Sequence, residues 1–212
     1  MNDRLIDLRH EQTEKNRRDA CEYRRGTVLM RDPRAITGVT LHQMAKFFGL
    51  APYQLHASKG DAVLARHRRF LDVNAHISAG RHGQFVLAYD LETYVNHGDL
   101  LNPTDVGIEH EGEYTMDGEP VGKPADVDVG EIIEAGRAAL TYIVESLPNV
   151  RYVHAHRQSR RAPKAAKTAC CSALIFREVG VAHGVRKLGL QIEPERTWGS
   201  GHTLPRSWYG PR

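Results

Sequence analysis

The chain has 212 residues, 41% hydrophobic and 26% charged, which is ordinary globular usage for one domain, or one domain with tails. A formal net charge of +3 gives no polyanion-binding signal, so no nucleic-acid partner is expected. The cysteines, at 21, 170 and 171, are odd in number with two adjacent, which argues against a disulfide framework; no apolar run is long enough to span a bilayer, and the charged first ten residues hold no signal-peptide segment. Synthesis in the cytoplasm and no membrane insertion are the expectation.

In chain order, residues 1–25 are charge-dense around Leu5, Ile6 and Leu8 and read as a surface helix or a loose arm. After Asp32-Pro33 comes an apolar, β-branched run at 36–41, a buried strand with His42 at its end. Met44, Phe47, Phe48 and Leu50 have helical spacing. A second helix is expected from Asp61, a plausible N-cap, with Val63, Leu64, Phe70 and Leu71 on its inner face. Residues 75–79 and 85–89 form a hairpin closed at Gly83.

Residues 105–112 read as a strand carrying Glu109 and Glu111, and the Gly/Pro/Asp-rich stretch 113–128 as a long loop. The clearest amphipathic helix runs from 129 to 147, with Ile132, Ile133, Ala135, Ala139, Leu140, Ile143, Val144 and Leu147 inward. A short strand at 150–153 leads to His154 and His156, a basic loop follows, and a helix starts near Ser172. The tail holds Trp198 and Trp208, which would dock onto the domain or stack on sugars. The order predicts one α/β domain with a mixed central sheet flanked by helices. It divides into a charged extension at 1–33, a domain at 34–188 and a tail at 189–212.

Two neutral imidazoles and a thiolate with a fourth position open make a catalytic zinc site. His42, His156 and Cys170 lie on separate pieces of chain, two of them just past strand ends, where ligands commonly bind in α/β sheets. His154 shares a strand face with His156, and Cys171 adjoins Cys170, so both are rival ligands.

These blocks, in order from about residue 36 to 176, resemble the type-2 family of zinc-dependent N-acetylmuramoyl-L-alanine amidases, which share their fold with peptidoglycan recognition proteins. Val39-Thr40-Leu41-His42 is similar to the strand ending in the first zinc histidine. Residues 76–83 resemble the family's hairpin, and Val106-Gly107-Ile108-Glu109 its Ile-Gly-Ile-Glu strand. Val153-His154-Ala155-His156-Arg157 resembles the block holding the second zinc histidine, and residues 167–172 the block with a lysine before the last ligand.

The resemblance implies zinc held by His42, His156 and Cys170, Glu109 as proton carrier, Lys167 at the oxyanion, and His97 and His76 toward substrate. It implies a monomer acting on peptidoglycan or muropeptides, at the cell wall as a lysin or in the cytoplasm as a recycling enzyme. The sequence departs from the family at three places. Cys171 stands where proline is usual, Lys167 lies one residue farther from the thiol, leaving Lys164 as a rival, and Ala75 replaces the phage tyrosine before the hairpin. Two other readings stay open: a non-catalytic peptidoglycan-binding module, and a zinc hydrolase acting on another amide.

Overall fold

The computed structural model describes residues 4–44, 47, 68–161 and 170–210. Six strands make the central sheet: β1 (Leu5–Asp7), β2 (Gly38–Gln43), β3 (Ile77–Ala79), β4 (Phe85–Leu87), β5 (Asp105–His110) and β6 (Tyr152–Ala155). Their order is β1-β4-β3-β5-β2-β6, and every pairing is parallel except the β3–β4 hairpin. The sheet is therefore mixed, as expected. The hairpin turn carries His82 and Gly83 at positive φ (62° and 67°), a conformation glycine adopts without strain.

Register decides which residues share a face, because successive strand side chains alternate sides. In the centre, Val39 lies beside Val106 and Val153, and Leu41 beside Ile108 and Ala155. These apolar residues share one core with a long helix, here α2 (Val129–Ser146), the first helix being α1 (Glu14–Ala20). Asp128 caps α2, its carboxylate accepting from the Gly130 N–H at 2.7 Å. Ile132, Ile133, Ala135, Gly136, Ala139, Leu140 and Ile143 are its buried positions; the periodicity predicts all but Gly136, while Val144, also expected inward, is half-buried. A last helix, α3 (Ala173–Ile175), continues as π-helical turns over Phe176–Val185 and packs on the same core.

On the opposite face of the same strands stand Gly38, Thr40 and His42 beside Asp105, Gly107 and Glu109. Toward β1 and β4 this face is apolar, where Ile6 and Val86 pack with Ala20 of α1 and with Cys21. Helices thus cover both sides.

One sequence expectation changes. Residues 5–7 form an edge strand of the sheet rather than a helix or loose arm, because Leu5, Ile6 and Asp7 pair with Phe85, Val86 and Leu87. The tail docks: Trp208 is buried against Phe176, with the Arg157 guanidinium 5.1 Å from its ring centre. The two helices expected near 44–50 and 61–71 lie mostly outside the described residues, which include Met44, Phe47 and a 3-10 turn at Arg68–Asp72. No helix among the described residues is long and apolar enough to cross a membrane.

Candidate metal centre

The carboxyl ends of three adjacent parallel strands build the centre. Register places His42 of β2 directly beside Glu109 of β5. On the other flank Ala155 of β6 pairs with Leu41, so His156, the next residue, comes level with His42. The His42 and His156 ring centres lie 4.4 Å apart. Cys170 arrives from the start of α3. The Arg157 N–H donates to its carbonyl at 2.6 Å, tying the thiol-bearing turn to the histidine-bearing one.

One ligand atom each from His42, His156 and Cys170 lie within 4.8 Å of one another, with His42 buried and the other two half-buried. A tetrahedral zinc site has bonds of about 2.0–2.3 Å and takes this donor set, so a small closure brings the three atoms onto one ion. Burial, then the neighbouring His156 and His97, hold His42 well below the usual imidazole range, which keeps its ring neutral with a lone pair to give. The set fits zinc by donor type, burial and proximity.

Around the ligands the polar face is densely bonded. His42 Nδ1 is 3.8 Å from Glu109 Oε1, and His42 Nε2 is 3.1 Å from His97 Nδ1. His97 Nε2 lies 3.0 Å from the Asp105 carbonyl oxygen, and burial pushes this imidazole down to about 4. His110 Nδ1 donates to the His42 carbonyl at 2.8 Å. Asp105 is fully buried; its carboxylate accepts from Thr40 Oγ1 and His154 Nδ1, each at 2.7 Å. Burial works against that charge, but the His154 imidazolium and the two hydrogen bonds outweigh it, leaving Asp105 below its ordinary value and His154 above. A polar cleft of about 370 Å³ opens beside His156, bordered by Glu22, Asn96, His97, Asp99, Asn102 and Arg161.

No family model matches the chain, and no curated protein matches it in sequence. Solved structures do match. Drosophila PGRP-LB is 13% identical and has a TM-score of 0.51, covering 89% of this chain and 96% of its own. An endolysin of Thermus scotoductus bacteriophage Ph2119 is 14% identical, at TM-score 0.49, covering 82% of this chain and 98% of its own. The N-acetylmuramoyl-L-alanine amidase LysCS of Clostridium intestinale is 12% identical, at TM-score 0.47, covering 88% of this chain and 96% of its own. The chain has the amidase/peptidoglycan recognition protein fold. At such identity the likeness concerns fold alone.

Within the amidase/recognition-protein fold, the expected site residues fall into three groups. His42, Glu109, His156 and Cys170 converge. Lys167 and its rival Lys164 lie outside the described residues. His76 and His97 sit behind the ligands. His76 is fully buried; its Nδ1 accepts from the Gly107 N–H at 3.1 Å and its Nε2 donates to the Thr93 carbonyl at 2.8 Å. His76 therefore cannot touch a substrate, which corrects that expectation. His97 borders the cleft, with both ring nitrogens engaged inside the protein.

The rivals separate as well. Cys171 is fully buried in the core, where burial pushes its thiol far up and keeps it protonated, so Cys170 alone of the pair faces the histidines. His154 points to Asp105 rather than to the centre. Glu111 is buried against Arg81, whose Nε lies 3.2 Å from its Oε1. Sequence reasoning missed Asp105 and His110. The period-2 alternation through Asp105, Gly107 and Glu109 carried the signal for the first.

Proposed function

We propose that the protein is a zinc-dependent amidase that hydrolyses the bond between N-acetylmuramic acid and L-alanine in peptidoglycan or muropeptides. The convergence of the His42, His156 and Cys170 ligand atoms beside the Glu109 carboxylate carries this reading. The ordered sequence blocks and the fold likeness to PGRP-LB support the choice of substrate.

His42, His156 and Cys170 would hold the ion. When bound, zinc supplies a Lewis acid for the scissile carbonyl and lowers the pKa of water. Glu109, on the ligand side of His42, would take the proton of the attacking water and deliver it to the departing amide nitrogen. Lys167 is assigned to the oxyanion by the resemblance. The buried Asp105, Thr40 and His154 tie the three adjacent strands together below the ligand-bearing ends, which would keep the base and the ligands at fixed spacing.

The test is digestion of purified peptidoglycan followed by muropeptide analysis, with metal content measured on the same preparation. Free stem peptides and about one zinc per chain are expected for this site type. Cuts between sugars or within the peptide would refute the substrate, and a metal-free chain that still binds cell walls would favour the binding-module reading. Glu109→Gln should keep zinc yet lower turnover by about 10²–10⁴-fold.

A further inference from the structure

An imidazole has two nitrogens, and a metal takes the one without a proton. We propose that His97 is a positioning residue that fixes His42 as its Nε2–H tautomer, so that Nδ1 is the atom offered to the ion. This rests on the metal-centre reading above.

The argument starts at a group that cannot reverse. The Asp105 carbonyl oxygen can only accept, so His97 Nε2, 3.0 Å away, carries a proton. With one proton on the neutral ring, His97 Nδ1 holds a lone pair. That lone pair faces His42 Nε2 at 3.1 Å, so His42 Nε2 donates. His42 Nδ1 is then bare, and it is the nitrogen on the Glu109 side, 3.8 Å from Oε1. The same carbonyl accepts from Arg31 Nη1 at 2.6 Å, a second donor that holds it in this orientation.

Independent features hold His97 where this chain needs it. Its backbone N–H donates to Asn102 Oδ1 at 3.1 Å, and that of Gly98 does so at 2.5 Å. The ring lies over Gly107 of β5, where a Cβ would come within 2.6 Å of His97 Cγ and Nδ1. His76 meets the His97 ring edge-on, with centres 5.2 Å apart. A ligand imidazole whose other nitrogen is bonded in this way is oriented and made more basic, and losing such a partner typically weakens metal binding 10–100-fold.

Two variants separate the role from simple packing. His97→Gln keeps an acceptor and a donor on one side chain; His97→Phe keeps a ring and removes both. NMR of the imidazole nitrogens in the metal-free wild type reads the His42 tautomer, and chelator competition reads zinc affinity in all three proteins. The expected result is an Nε2–H His42 in the wild type, near-wild-type zinc affinity in His97→Gln, and a loss of about 10–100-fold in His97→Phe. An Nδ1–H His42 in the wild type, or equal losses in the two variants, would overturn the proposal. If the wild type takes up no zinc, the metal-centre reading falls, while the tautomer measured without metal still decides the role of His97.

Discussion

Cys170 and Cys171 are neighbours in the chain and opposites in environment. One thiol stands with two imidazoles, and the other is sealed among apolar side chains. Their substitutions should therefore fail in different ways. Cys170→Ser should abolish stoichiometric zinc and leave the fold intact. Cys171→Ser should keep zinc and lower unfolding free energy by about 1–3 kcal/mol, the cost of a buried hydroxyl without a partner. Metal analysis and denaturant melts of the two proteins check both expectations. At this scale the sequence is legible where chemistry is scarce: a strand-end histidine, a paired carboxylate, a thiol. It is silent where burial decides. His76 looks like a substrate residue on paper, but the chain packs it behind the ligands, and burial pairs Glu111 with Arg81.

Strands β2, β5 and β6 each carry two messages at period two. Val39, Leu41, Val106, Ile108, Val153 and Ala155 face the core they share with α2 and the π-helical turns at Phe176–Val185. Thr40, His42, Asp105, Glu109 and His154 face the other way and build the centre with its supports. Gly107 belongs to this second set for want of a side chain, since His97 occupies the space a Cβ would need. Gly107→Ala should therefore displace His97, cost about 1–3 kcal/mol as an overpacking change in a rigid sheet, and weaken zinc binding. Calorimetry with a zinc titration measures both. The hairpin, β5 and α2 could be read in advance because each repeats its pattern over enough residues. Strand β1 could not: three residues flanked by charges show no period, and only pairing with β4 makes them a strand.

For the molecule as a whole, the cost of the design falls on its histidines. Burial pushes His97 and His110 down to about 4, and His42 and His76 also lie well below the usual value. The unfolded chain titrates these groups near 6.5, so between about 6.5 and 4 it binds more protons than the folded one. Stability is thus full above that window and falls as pH drops through it, by about 3 kcal/mol as an order of magnitude for each of His97 and His110. His154 acts in the opposite sense: its raised value gives stability that is present below 6.5 and lost as pH rises through the folded value. Melting curves of the zinc-free protein from pH 8 to 4 should show the midpoint falling steeply on the acid side. A flat profile there would mean the imidazoles are solvated.

The hydrogen bond from the Arg157 amide to the Cys170 carbonyl closes the chain on itself just beyond His156. Two donors that are far apart in sequence are clasped at the root, and the basic stretch between them is a detour that starts and ends at the same place. Closing a longer detour costs little extra entropy. The spacing of the two ligands is consequently set at the clasp rather than by the length of chain between them, and the grip on the ion stays where the sheet puts it.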